Sequence, residues 1–266
     1  MRTTTVRRDG VRLVCRDSGG PGPAVLLLHG LAGQSREWEA LGAHLGGRYR
    51  LLALDQRGHG GSEPRPGDTS RAAFVADAVA VIGELAAGPV ILAGQSLGGV
   101  TAIQAAAARP DLVRALLLVE AGAAAGDDET PAEIDGWLGS WPVPFAAHED
   151  AVRFFGGGPV GEGWASGLVA GVDGLRPTFE REVVVDVIAA HARRSNWDDW
   201  AGIACPTTVV LGERGVLPAE EVAEMRRLRP DARFVTVPGA GHDLHLERPA
   251  AVAAELDRLL APAPPS

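Results

Sequence analysis

The stretch GQSLG, residues 94–98, sets a serine between two glycines, each two residues away. A serine hydroxyl attacks a carbonyl only when a general base takes its proton. The G-x-S-x-G pattern suits such a serine, because a sharp strand-to-helix turn leaves room only for small neighbours. The context fits: residues 90–93 read as an apolar strand and 97–108 as a helix. Ser96 then sits at a helix N-terminus, where the peptide dipoles favour developing negative charge. A serine in such a corner could also serve as a simple N-cap, but strand, glycines and helix together favour a nucleophile. A base for it is expected after the last strand. There the segment VPGAGHDLHLERP, 237–249, supplies His242, with Gly239 and Gly241 freeing the loop to reach back. His245, three residues on, is its competitor. His29 and His59 fall in strand-end loops, and His44, His148 and His191 read as surface or insertion residues.

These residues need a scaffold, and the pattern supplies one. Strands are expected at 11–17, 24–29, 50–54, 90–93, 113–119, 207–211 and 233–237, with helices at 35–45, 69–87, 97–108, 218–228 and 249–260. The helix at 69–87 has Thr69 or Ser70 as a cap and a stripe of Phe74, Ala78, Val81, Ile82 and Leu85. Continuous apolar strands alternating with amphipathic helices indicate an α/β fold, a parallel sheet covered on both faces. Ligands bind such sheets beyond the C-terminal strand ends. Those ends fall at 29–34, 55–62, 94–98 and 120–122. From 123 to 200 the texture changes to Gly and Pro breaks, with five of the six tryptophans and four of the six phenylalanines. It reads as a helical insertion, and the tail APAPPS reads as frayed.

Composition narrows the function classes. The 266 residues fit one domain with an insertion, and the net charge of −9 argues against a nucleic-acid partner. All 25 positive side chains are arginine, which reads as a coding bias. Cys15 and Cys205 show neither metal spacing nor a disulfide framework. The N-terminus lacks the apolar stretch of a signal peptide, and the apolar runs are too short to span a bilayer. A soluble cytoplasmic protein without membrane association is expected.

Four stretches carry a family resemblance across essentially the whole chain: LLLHGLAG at 26–33, DQRGHGGS at 55–62, GQSLGG at 94–99 and PGAGHDLHLERP at 238–249. In order and spacing they resemble the α/β-hydrolase family, in its capped subgroup. The resemblance implies a mostly parallel eight-stranded sheet with helices on both faces. It implies core parts at 1–122 and 201–266 and a helical cap at 123–200, inserted after the sixth strand. It also implies an oxyanion hole from the backbone N–H groups of Leu31 and Leu97; such donors are worth about 3–4 kcal/mol each. DQRGHGGS is expected to form a structural turn in which Asp55 and Arg57 satisfy neighbouring groups.

In one respect the sequence departs from the family. The usual acid follows the penultimate strand, but LGERGVLP, 211–218, places Gly215 at that position, with Glu213 two residues early. A triad acid fixes the imidazole tautomer and stabilises the imidazolium, and its loss can cost about 10⁴ in rate. Glu120, ending the sixth strand, is the leading substitute; Glu213 and Asp243 are the alternatives.

The aromatic insertion suits an apolar or planar acyl group, with Trp137, Trp141, Phe154 and Trp164 as candidate lining residues. The expected activity is a serine hydrolase cleaving an ester, lactone or thioester through an acyl-enzyme, without metal or organic cofactor. An acyltransferase taking an aromatic acyl group from a carrier-protein or coenzyme A thioester, in secondary metabolism, is the alternative. It would bring an acyl carrier protein as partner. A non-catalytic ligand-binding protein on the same fold is a third reading, supported only by Gly215.

Overall fold

The computed structural model describes residues 1–260; the APAPPS tail lies outside the described residues. Eight strands form the main sheet: β1 (Arg2–Arg8), β2 (Val11–Asp17), β3 (Ala24–Leu28), β4 (Arg50–Asp55), β5 (Val90–Gln95), β6 (Val113–Val119), β9 (Thr207–Gly212) and β10 (Arg233–Val237). Their order is β1-β2-β4-β3-β5-β6-β9-β10. From β4 to β10 every pairing is parallel, and β2 runs antiparallel to both of its neighbours. The continuous apolar runs are the reason: all of β5 and four of the five residues of β3 are buried.

Period-two alternation divides those side chains between two cores. Leu26, Leu28 and Leu92 face helices α2 (Arg71–Leu85) and α3 (Leu97–Ala108). Val25, Leu27 and Ile91 face α1 (Glu39–Leu45) and the last helix (Pro249–Leu260). Burial of each such leucine contributes about 1.5–3 kcal/mol. The expected stripes hold: Phe74, Ala78, Val81 and Ile82 are buried, Ser70 caps α2, and Trp38, Leu41 and Leu45 are buried, though 35–38 forms a 3₁₀ turn ahead of α1.

Strand β1 was not expected from the sequence. RTTTVRR has no apolar run, and only Val6 in it is buried. Its signal is the Asp9-Gly10 pair, both at positive φ (48° and 79°), which closes a two-residue hairpin with Arg8 opposite Val11.

After β6 the chain leaves the sheet until β9. Between them lie α4 (Thr130–Gly139), α5 (His148–Phe154), α6 (Gly158–Ala165), a two-stranded ribbon of β7 (Val169–Ala170) and β8 (Leu175–Arg176), α7 (Arg181–Ala192) and α8 (Trp197–Gly202). Two bonds pin the ends of the excursion: Asn196 N–H donates to the Ala123 carbonyl at 2.7 Å, and Gln104 Nε2 to Asn196 Oδ1 at 2.7 Å. The excursion has its own core of Leu138, Trp141, Phe145, Ala151, Ala165 and Val184, packed on Ala32. Trp200 instead packs into the main core, its indole donating to the Met225 carbonyl at 2.9 Å. Beyond β9 follow α9 (Ala219–Leu228), α10 (Leu244–Glu247) and α11 (Pro249–Leu260).

Candidate active site

Ser96 occupies a strained corner, with φ 48° and ψ −122°. Such a conformation costs roughly 1–3 kcal/mol and persists only where the surroundings enforce it. The enforcement is visible. A Cβ on Gly94 would collide with the Gly98 carbonyl, one on Gly98 with the carbonyls of Leu28 and His29, and one on Gly99 with Ala121. The two N–H groups expected to form the oxyanion hole, of Leu31 and Leu97, make no protein hydrogen bond among the described residues.

Two buried histidines fix the loop that carries Leu31. His29 Nε2 accepts the Gln56 N–H at 3.0 Å, and its Nδ1 faces the Gly30 carbonyl at 2.7 Å. His59 Nε2 accepts the Ala32 N–H at 3.2 Å, and its Nδ1 faces the Arg57 carbonyl at 3.0 Å. Burial pushes their pKa values down to about 4 and about 3, so both work as neutral posts. The 55–62 turn is structural as expected: Asp55 accepts the N–H groups of Ser35 (2.7 Å) and Gly61 (2.8 Å). Arg57 pairs with Asp77 at 2.6 and 2.7 Å.

Sheet register brings Glu120 to the serine's side. Gln95 pairs with Val119, so Ser96 and Glu120 each follow by one residue on adjacent strand ends. Glu120 is buried at φ 49°. Its Oε1 accepts the Gly212 N–H at 2.6 Å and its Oε2 the Val216 N–H at 3.0 Å. The carboxylate fills the space that a side chain at 215 would need: a Cβ on Gly215 would collide with it. A Cβ on Gly212 would strike the carbonyls of Ala240 and Gly241, so its absence lets the histidine loop cross β9.

His242 ends that crossing. Its Nδ1 lies 3.4 Å from Glu120 Oε2, at the long end for a hydrogen bond. Gln95 assigns the tautomer. Its amide nitrogen faces the His242 carbonyl at 3.2 Å, which can only accept, and the same nitrogen lies 3.3 Å from His242 Nε2. The ring proton therefore belongs on Nδ1, towards Glu120, and the lone pair on Nε2. No hydrogen bond joins Ser96 to His242 among the described residues; such contacts often tighten only when substrate binds.

The other candidate carboxylates and the rival histidine engage other partners. Glu213 Oε2 accepts the Gly239 N–H at 2.8 Å on the surface. Asp243 diverges from His242 and accepts the Trp164 indole N–H at 3.1 Å. His245 is buried against Trp38 and Glu37.

A cavity of about 480 Å³ opens over Ser96 and His242. Trp137 and Trp164 line it, together with Leu31, Leu97, Ile134 and Ile188. Trp141 and Phe154 do not, which corrects their expected place on the substrate. Trp141 is buried inside the excursion's aromatic core, edge-on to Trp137 (5.2 Å) and Phe155 (4.8 Å). Phe154 packs on Phe145 (5.5 Å) at the outer surface. His191, read from sequence as a surface or insertion residue, does line the cavity.

Comparison with known proteins identifies the family. The model of the "Alpha/beta hydrolase family" matches residues 25–255. The chain belongs to the alpha/beta hydrolase family. A 2-(acetamidomethylene)succinate hydrolase of Mesorhizobium japonicum is 31% identical over 242 residues, covering 84% of this chain and 82% of that protein. The sn-1-specific diacylglycerol lipase ABHD11 of Mus musculus is 28% identical over 254 residues, covering 85% and 77%. The crystal structure of E-2-(acetamidomethylene)succinate hydrolase superposes with a TM-score of 0.88 at 26% identity, covering 97% and 98% of the two chains. This alpha/beta hydrolase is thus a hydrolytic enzyme. None of its helices, among the described residues, is long and apolar enough to cross a membrane.

Sequence reasoning passed over two residues that this alpha/beta hydrolase places at the site. Gln95 is the variable residue before the serine, and nothing local marks it. Glu221 lines the cavity from α9, within a charged stretch that reads as an ordinary solvated face.

Proposed function

We propose that this alpha/beta hydrolase is a serine hydrolase cleaving an ester, lactone or thioester of an apolar or aromatic acyl group. Ser96 Oγ attacks the acyl carbon while His242 Nε2 takes its proton. The N–H groups of Leu31 and Leu97 receive the oxyanion, and Glu120 stabilises the imidazolium. Collapse breaks the bond to the leaving oxygen or sulfur, which takes the proton back from His242. Water, deprotonated by His242, then attacks the acyl-enzyme and frees the acid and Ser96. The observation that carries this reading is the fit of Glu120 into the space left by Gly215, within 3.4 Å of His242 Nδ1.

The excursion acts as a cap between core parts 1–122 and 201–266, and its Trp137 and Trp164 face the acyl group. Small-molecule and carrier-tethered thioesters both present the required carbonyl. No feature of the site favours an acceptor other than water. The test is intact-protein mass after incubation with a fluorophosphonate probe. One adduct is expected, absent from Ser96→Ala. An unmodified wild-type protein, or an adduct that survives in Ser96→Ala, would overturn the assignment.

A further inference from the structure

The cavity over Ser96 is one-sided in charge. Glu120, Asp243 and Glu221 line it with the histidines 191 and 242, no arginine does, and the chain contains no lysine. Two of these carboxylates are already engaged: Glu120 by two backbone N–H groups and His242, Asp243 by the Trp164 indole. Glu221 is different. It projects from the first turn of α9, and its Oε1 accepts the Ala124 N–H at 2.8 Å. It lies so close over Gly122 that a Cβ there would collide with the carboxylate. Its Oε2 has no hydrogen-bond partner among the described residues. The side chain is thus anchored by one oxygen, and the other is left for a ligand.

Among the described residues the Glu221 carboxylate makes this one hydrogen bond and no ion pair. Burial holds the His191 pKa down to about 4, so that ring is neutral at physiological pH. The buried Arg71 guanidinium donates through Nη2 to Thr101 Oγ1 and the Leu97 carbonyl; its Nε and Nη1 have no partner among the described residues and its charge reaches His191, but it does not line the cavity. A second anion would enter a cavity already lined by carboxylates, whose repulsion opposes it. A cation would find the free oxygen of Glu221.

We propose that Glu221 sets substrate charge, seating a cationic group such as an ammonium at the end of an otherwise apolar acyl chain and excluding carboxylate-bearing substrates. The inference rests on the serine-hydrolase reading above. It also separates this enzyme from the Mesorhizobium relative, which is named for a succinate, a dicarboxylate.

Three 4-nitrophenyl esters of similar length test it: 4-(trimethylammonio)butanoate, its neutral carbon isostere 5,5-dimethylhexanoate, and the adipate half-ester. The expected order of kcat/KM is cation, neutral, anion, with at least tenfold between the ends. Glu221→Gln keeps an oxygen for the Ala124 N–H, and it should shrink the cation-to-anion ratio by about tenfold. A wild-type enzyme that prefers the anion to the neutral ester overturns the proposal, whether or not Glu221→Gln folds. So does a ratio that Glu221→Gln leaves within twofold. If the fluorophosphonate adduct forms but no ester turns over, slower labelling of Ser96 by the probe reads the same preference. Hexyltrimethylammonium should protect and hexanoate should not; the reverse overturns the proposal. Absence of both adduct and turnover defeats the serine-hydrolase reading itself. Turnover without discrimination defeats only the assignment of Glu221.

Discussion

At the scale of single residues, the proposed acid is the sharpest point to test. Glu120 accepts two backbone N–H groups and faces His242 Nδ1. Glu120→Gln would turn an amide NH₂ towards one of those donors and remove the charge that balances the imidazolium. A fall in kcat of about 10³–10⁴-fold is expected, by analogy with the loss of a triad carboxylate in serine proteases. The seat of the carboxylate makes a sharper test. Gly215→Asp in the wild-type background forces a side chain into Glu120, and loss of stability and activity is expected. Glu120→Gly clears the space and tolerates the positive φ at 120. Glu120→Gly/Gly215→Asp should therefore regain at least tenfold in kcat over Glu120→Gly alone. A double variant no better than the single would show that the two positions do not serve one imidazole. Ser96 and His242 could be proposed from sequence because each sits in a short motif, and Glu120 because it ends the strand beside the serine's. Trp141 and Phe154 were misplaced because aromatic content does not encode which face of a small helical layer turns to the cavity.

At the scale of elements, the turn around Ser96 is held by contacts that tolerate no added atom. Gly98→Ala would drive a methyl group into the carbonyls of Leu28 and His29. The β3 end and the α3 start would have to part, at a cost of about 1–3 kcal/mol or more. The N–H of Leu97 would move with them, so kcat should fall together with the urea midpoint. Gly83 is the control. It lies inside α2, and a Cβ there meets open space. Gly83→Ala should stabilise the fold by about 0.4–1 kcal/mol and leave kcat unchanged. Equal effects at both positions would mean that the turn is not under steric constraint. Most elements were legible from sequence, because a buried parallel strand and an amphipathic helix each impose a period. β1 was not, since an edge strand that buries only Val6 needs no apolar run. The two-residue strands β7 and β8 carry no period at all.

At the scale of the whole molecule, buried histidines and net charge make opposite predictions for acid stability. The chain carries a net charge of −9 at pH 7 and has a pI near 5.3. If self-repulsion governed stability, the protein should grow more stable as the pH falls from 7 towards 5.3. His29 and His59 argue the other way. Burial lowers their folded pKa values to about 4 and about 3, well below the unfolded value near 6.5. Above pH 6.5 neither state binds a proton there, and the full stability is present. Between 6.5 and about 4 the unfolded chain binds two protons at these rings that the native state refuses, so stability is lost as pH falls, and His191, also held down to about 4, adds in the same direction. Two protons correspond to about 2.7 kcal/mol per pH unit. His245 and Glu37 do not change the sign: burial lowers the histidine and raises the carboxyl, and the two effects oppose each other. A domain with about 5–15 kcal/mol of stability would lose most of it before pH 4. The urea midpoint should therefore drop steeply from pH 7 to pH 5, through the pI, and His29→Gln/His59→Gln should flatten that slope. A midpoint that rises on approaching the pI would mean that these rings take up protons in the native state. They could not then be the neutral posts on which the loop carrying Leu31 rests.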